Sequence, residues 1–390
     1  MRLIDRVNHF GFKLLVELNK GRQDKNLIFS PASITLALML VWSGARAETR
    51  EAIGNTLGLS GFDQNELDAL VKQLHQELGE SIEGVQLNIA NSLWLEQKTG
   101  MEFSPDFLKL CQQNYDAELR NLVEGVDAIN AWVSEKTNGM INQIVESIDP
   151  LAVLIVLNAT YFKGAWTEKF NERVTKDHDF HISRGETIQT PMMKMTGYLE
   201  YAETDDVQSI SLPYGDERAS MYVLLPKKHS DLNQFVKTTQ SKSWSEQFVS
   251  QFTEQKVLVK MPIFGIENEI ELEELLSTMG MEIAFDMAEA DFKGMLSGSP
   301  ENPDVYISSI KHKAIIKVNE EGTEAAAITV IEVAGCVAVI EFKKITEMII
   351  DRPFLYFIRD NKSGLILFIG TIVNPSSGMD PDEIRSTGQG

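Results

Sequence analysis

Residues 319–339 read "NEEGTEAAAITVIEVAGCVAV". The stretch opens with an acidic pair and a glycine, then runs through small and β-branched residues without a Lys, Arg or Pro. Its Glu and Ala favour a helix. Strand spacing fits equally well. Thr323, Ala325, Ala327, Thr329, Ile331 and Val333 would share one face, and Glu324, Ala326, Ile328, Val330 and Glu332 the other. The first set carries no charge and begins with small groups, so it could enter a crowded sheet interior while both glutamates stay toward water. The residues alone leave three readings open: a helix, an ordinary core strand, or a segment that changes place.

The rest of the chain narrows the field. Of its 390 residues 43% are hydrophobic and 24% charged, a balance normal for a globular protein. A chain of this length buries a sizeable core without staples. No run of 18 or more apolar residues predicts a membrane span. The net charge is −21, from 57 acidic and 36 basic residues, which argues against nucleic acid or heparin as a partner, because a polyanion needs clustered Lys and Arg. Two cysteines, Cys111 and Cys336, make neither a disulfide framework nor a CxxC metal site, and the six histidines show no ligand spacing. No metal or cofactor is therefore expected. GxSxG, HExxH, GxGxxG and GxxxxGK[ST] are all absent. Cys336 has only uncharged neighbours to activate it, so an enzyme is not expected. "MRLIDRVNHFGFKLL" is no secretory signal. The expectation is an intracellular chain, or the mature form of one that works in the extracellular space.

Along the chain, helical signals come first. Val7, Phe10, Leu14 and Leu18 share one face, and Ser30 followed by Pro31 is a cap and first-turn pair. Leu67, Leu70, Val71, Leu74 and Leu78 mark a further helix, and Ile129, Trp132 and Val133 another, with Gly139 as a stop. "QLNIANSLWLE" alternates as a strand does, and "LAVLIVLNATYF" (151–162) reads as a strand buried on both faces. Beyond residue 190 strands dominate, ending in a hairpin, "PFLYFIRD" and "LILFIGTIV", split by "NKSG". Helices and strands mix over the whole length, which predicts one α+β domain over residues 1–377. The polar tail 378–390 is expected to be disordered.

Several segments together resemble the serpin family, in the family's order: "LIFSPASI", "WVSEKTNGMI", "LNATYFKGAW", "MMKM", "MGMEIAFDMAEADFKGM", "VNEEGTEAAAIT", "RPFLYFIRD" and "FIGTIVNP". The resemblance covers roughly residues 4–376. It implies a large mixed or antiparallel main sheet with surrounding helices and an exposed reactive-centre loop, here about 320–345. It also implies a suicide-substrate inhibitor of serine proteases. The protease cuts the loop, and the loop then inserts into the main sheet and traps the acyl-enzyme; such loop insertion is a known case of strand addition. The expected form is a monomer whose one partner is its target protease.

The resemblance also assigns positions. Glu320, Glu321, Gly322, Thr323, Glu324, Ala325, Ala326 and Ala327 match the hinge. Gly322 would let the backbone turn, and Thr323, Ala325 and Ala327 would point inward, where a charge or a proline would stall insertion. Ser30, Ser33, Asn158, Trp166 and His312 match the sheet-opening region. The family's usual count from Glu320 places the bait bond at Cys336–Val337, with Val339, Phe342 and Lys344 as alternative cut sites. A small soft side chain there suits an elastase-like or subtilisin-like pocket, not a trypsin-like one. The segment "NELDALVKQLHQELGESI" has one lysine, Lys72, among several acids, so no heparin activation is expected. The competing readings are a serpin-fold binding or chaperone protein, a cross-class inhibitor of cysteine proteases, and a hydrolase with an unrecognised site.

Overall fold

The structure, a computed structural model, describes residues 2–22, 24–79, 83–96, 101–182, 185–239, 248–297, 305–323 and 345–386. Its helices are α1 (Leu3–Asn19), α2 (Pro31–Gly44), α3 (Ala47–Leu57), α4 (Gln64–Gly79), α5 (Pro105–Leu110), α6 (Gly125–Lys136), α7 (Leu232–Thr238), α8 (Glu273–Leu276) and α9 (Pro381–Ser386). The Ser30 hydroxyl accepts the Ser33 N–H at 3.1 Å, and Pro31 fills the first turn of α2. Every residue of α2 is buried, so this helix runs through the core. Helix α4 buries Leu67, Val71 and Leu74, and Gly139 closes the turn after α6 by donating its N–H to the Ser134 carbonyl.

The main sheet contains β1 (Val85–Leu95), β2 (Ala117–Asn121), β3 (Leu154–Ala165), β4 (Phe264–Glu271), β5 (Ile307–Val318) and the two-residue β6 (Gly322–Thr323). Across it the order is β4, β5, β6, β3, β1, β2. Below β6, strands β5 and β3 pair directly and in parallel, from Ile307 opposite Leu154 to Ile315 opposite Tyr161. The unbroken apolar run of β3 has a plain cause. Leu154, Val156 and Phe162 pack into the core that holds α2, while Ile155, Leu157 and Ala159 pack with Ile129, Trp132 and Val133 of α6. Both faces are covered, so both are largely apolar, with Asn158 and Thr160 as the polar exceptions.

A second, longer sheet runs through Leu27–Phe29, Ile366–Ile372, Phe354–Asp360, Ala219–Pro226, Val207–Tyr214, Thr187–Glu203, Thr253–Pro262 and Thr346–Ile349, with Lys176–His181 alongside. It contains the expected C-terminal hairpin, with Phe354–Asp360 antiparallel to Ile366–Ile372. The described part of the tail departs from expectation: Pro381–Ser386 is helical, and Ile384 is buried against Gly265 of β4, while residues 387–390 lie outside the described residues. One apolar side chain with a surface to cover outweighs the polar composition around it.

Candidate functional site

The seam between β3 and β5 carries a buried polar network in an otherwise apolar layer. His312 of β5 lies opposite Asn158 of β3. The Ser30 N–H donates to His312 Nε2 at 3.1 Å, so the proton sits on Nδ1, which donates to Asn158 Oδ1 at 2.5 Å. The Asn158 amide donates in turn to Ser33 Oγ at 2.5 Å and to Asn91 Oδ1 at 2.6 Å, and the Thr160 hydroxyl donates to Ser33 Oγ at 2.7 Å. Helix α2 and strands β1, β3 and β5 are thus tied at one point, with every member of the network buried.

Burial in this dry layer pushes the His312 imidazole down to about 3. The imidazole is neutral in the folded chain and takes a proton near pH 6.5 once unfolded. The stability it permits is full above pH 6.5 and is lost as pH falls toward 3. At pH 5 that loss is about 2 kcal/mol. The half-buried His75, also lowered, mainly by burial, adds to the slope with the same sign. His312→Gln is therefore expected to flatten the fall in urea midpoint between pH 6.5 and 5, leaving only the share of His75. An unchanged slope would show that His312 takes up a proton in the folded state.

At the head of the seam the chain reverses. The Asn319 N–H donates to the Gly322 carbonyl at 2.9 Å, and Asn319 Oδ1 accepts the Glu321 and Gly322 N–H groups at 3.0 and 3.2 Å. Strand β6 then runs back between β3 and β5, with Gly322 opposite Ala165, and Thr323 opposite both Gly164 and Val318. Gly322 has φ +155°, and a side chain there would run into the Gly164 carbonyl. The Trp166 backbone N–H donates to the Glu321 carbonyl at 3.0 Å, its indole N–H to the Asn319 carbonyl at 2.9 Å, and the Phe170 N–H to the Glu320 carbonyl at 2.9 Å. Thr323 is fully buried, its hydroxyl 2.7 Å from that of Tyr214, and Tyr214 stacks on Trp166 at 4.4 Å.

Glu320 is 2% exposed and is paired with Arg385 of α9 at 2.8 Å, while Glu321 faces Lys169 at 3.7 Å. Burial raises the Glu320 carboxyl, but hydrogen bonding led by Arg385 outweighs it and holds the group below the usual carboxylate range.

Of the residues singled out from sequence, Ser30, Ser33, Asn158 and His312 converge at the seam, and Glu320, Glu321, Gly322, Thr323 and Trp166 converge at its head. Glu324, Ala325, Ala326, Ala327, Cys336 and Val337 lie outside the described residues. Within the segment expected as a loop over about 320–345, Gly322 and Thr323 are paired in the sheet, and residues 324–344 lie outside the described residues. Sequence reasoning missed Thr160, Tyr214, Asn319 and Arg385. An Asn before an acidic pair and glycine is a turn signal that points to Asn319. Nothing near Arg385 in sequence names its partner.

The site is thus a mixed sheet that divides at one end around a returning two-residue strand. A family model described as "Serpin (serine protease inhibitor)" matches residues 5–375. The curated protein Serpin-Z2B of Triticum aestivum is 36% identical over 387 residues, with 94% of each chain covered. Among solved structures, native protease nexin-1 with heparin superposes with a TM-score of 0.86 at 27% identity, covering 96% of this chain and 99% of that one. Human thyroxine-binding globulin does so at 0.84 and 25%, covering 95% and 98%. The chain belongs to the serpin family, whose members are in general protease inhibitors and not catalysts, although the fold also serves non-inhibitory members such as thyroxine-binding globulin.

Proposed function

We propose that this chain is a suicide-substrate inhibitor of serine proteases with elastase-like or subtilisin-like pockets. The observation that carries this reading is the two-residue strand β6, seated between β3 and β5 above a seam where those strands still pair with each other. A cut loop would extend β6 downward through residues 324–333, whose inward set is uncharged. Gly322 and Thr323 would be the pivot, and Ser30, Ser33, Asn158 and His312 the polar contacts that re-pair as the strands part. Trp166 would hold the head of the gap. The bait bond would be Cys336–Val337, its small thiol filling a shallow apolar pocket.

Protease nexin-1 was solved with heparin; for this chain we propose no heparin dependence. Its α4 carries Glu66 and Asp68 with the single lysine Lys72, and the net charge of −21 repels a polyanion. We likewise propose a monomer that uses no metal or nucleic acid and works away from membranes.

The test is incubation with an elastase and with subtilisin, followed by a denaturing gel. A covalent complex is expected, together with a released peptide that begins at Val337. Thr323→Arg puts a charge where burial is complete, so this variant is expected to be cut without forming complex. Clean cleavage of the unaltered chain without complex would favour a binding role of the kind thyroxine-binding globulin has. Complex with a papain-like enzyme alone would move the target to cysteine proteases. Turnover of a small substrate by the chain itself would make it a hydrolase.

A further inference from the structure

The matched family region ends at residue 375, yet the chain continues into α9, which returns to the head of the main sheet. Four contacts fix it there. The Met379 N–H donates to the Gly265 carbonyl at 3.1 Å, and Ile384 is buried against the same glycine, so the segment is anchored on β4. Asn319 Nδ2 donates to the Ile384 carbonyl at 3.4 Å. Arg385 donates to Glu320 through Nη2 at 2.8 Å and Nε at 3.4 Å. The last two contacts fall on the turn that sends the chain back into the sheet.

We propose that α9 is a clasp that seats this turn, and thereby keeps Gly322 and Thr323 between β3 and β5 before any cut is made. The charge at Glu320 makes the clasp more than packing. Its carboxylate is sealed from water, and among the described residues Arg385 is the one cation within ion-pair distance of it. Without that cation the carboxylate keeps only neutral donors, the Thr175 hydroxyl and a backbone N–H, and a buried charge without a counter-charge is strongly unfavourable, so it is driven toward water. Reaching water means lifting Glu320 out of the turn, which breaks its carbonyl's bond to the Phe170 N–H. The neighbouring bonds from Trp166 to Asn319 and Glu321 loosen with it. Asn319 is in the same position, for its side chain bonds α9 through Nδ2 and the two pivot N–H groups through Oδ1. The clasp therefore holds the pivot from the side away from residue 324 and would persist after insertion. It prepares the start of the new strand and does not oppose its growth. This last consequence rests on the inhibitory reading above; the clasp itself does not.

The test needs no protease. Hydrogen exchange of the peptide spanning 319–323 is compared in the full chain, in a chain ending at Asp380, in Arg385→Ala and in Arg385→Lys, with residues 154–161 of β3 as the internal control for folding. Exchange of 319–323 is expected to rise at least tenfold on truncation and in Arg385→Ala, with Trp166 emission shifting red as its indole loses Asn319. In Arg385→Lys the rise should be partly reversed, and exchange over 154–161 should stay within twofold throughout. If truncation prevents folding, Arg385→Ala alone decides, since that side chain is 40% exposed. Exchange of 319–323 unchanged in Arg385→Ala overturns the clasp whether or not the protein inhibits a protease. Conversely, a protein that traps nothing but shows these shifts keeps the clasp and loses only the inhibitory reading.

Discussion

A single cut between Gly335 and Val339 is expected to raise the melting temperature of the chain by roughly 10–25 °C. Extending β6 through residues 324–333 adds some ten or more backbone hydrogen bonds at a net ~1 kcal/mol each. Five small or branched inward side chains, Ala325, Ala327, Thr329, Ile331 and Val333, add ~1 kcal/mol apiece. The sum is on the order of 10–20 kcal/mol, comparable with the whole stability of an ordinary domain. For 390 residues the unfolding entropy is about 0.8 kcal/mol per degree, which converts that sum into the stated rise. Scanning calorimetry before and after limited proteolysis by an enzyme that is not trapped measures it directly. A melting temperature that falls, or moves by only a degree or two, would mean that the uncut chain is already at its lowest state and that no spring exists.

Asn158→Ala is expected to destabilise the uncut chain by about 3–5 kcal/mol, because it strands several buried partners at once. His312 Nδ1–H loses its acceptor, and Asn91 Oδ1 and Ser33 Oγ lose a donor. In a cut and inserted form β3 and β5 would no longer face each other, and the Asn158–His312 bond across the seam would be gone in any case. The loss should therefore be clearly smaller after cutting, and the gap between the two melting temperatures should widen. Equal losses in both forms would show that the network is static packing with no part in opening the sheet.

How far the sequence carried the reading follows from where each interaction is written. Ser30 before Pro31 announces a helix start because cap and helix are neighbours in the chain. The run 151–162 announces a strand covered on both faces because burial erases alternation. Asn158 and His312 stand out as polar residues in strands that are otherwise core, although their pairing is set only when β3 and β5 come together across 154 positions of sequence. The depth at which the returning strand is already seated was not legible, since alternation in 323–333 names faces without saying where the sheet ends and the loop begins. Arg385 was hidden for a related reason. Its segment is polar, and what orders it is a single isoleucine and a carboxylate 65 positions away.

The four-residue reversal at Asn319–Gly322 has a kinetic consequence. Because β5 and β6 are joined by a tight turn, a strand added on the inhibitory reading would be the second arm of a hairpin zipping onward from its closed end. Contacts form in order of increasing separation, each loop closure is small, and the elementary step belongs to the microsecond range of hairpin formation. The slow event would then be the parting of β3 from β5. The turn also sets the register before zipping starts, and no later slip can repair it. Deleting residue 324 alone would bring Ala326, Ile328, Val330 and then Glu332 to the inner face, so that a chain one residue shorter would halt on a buried glutamate.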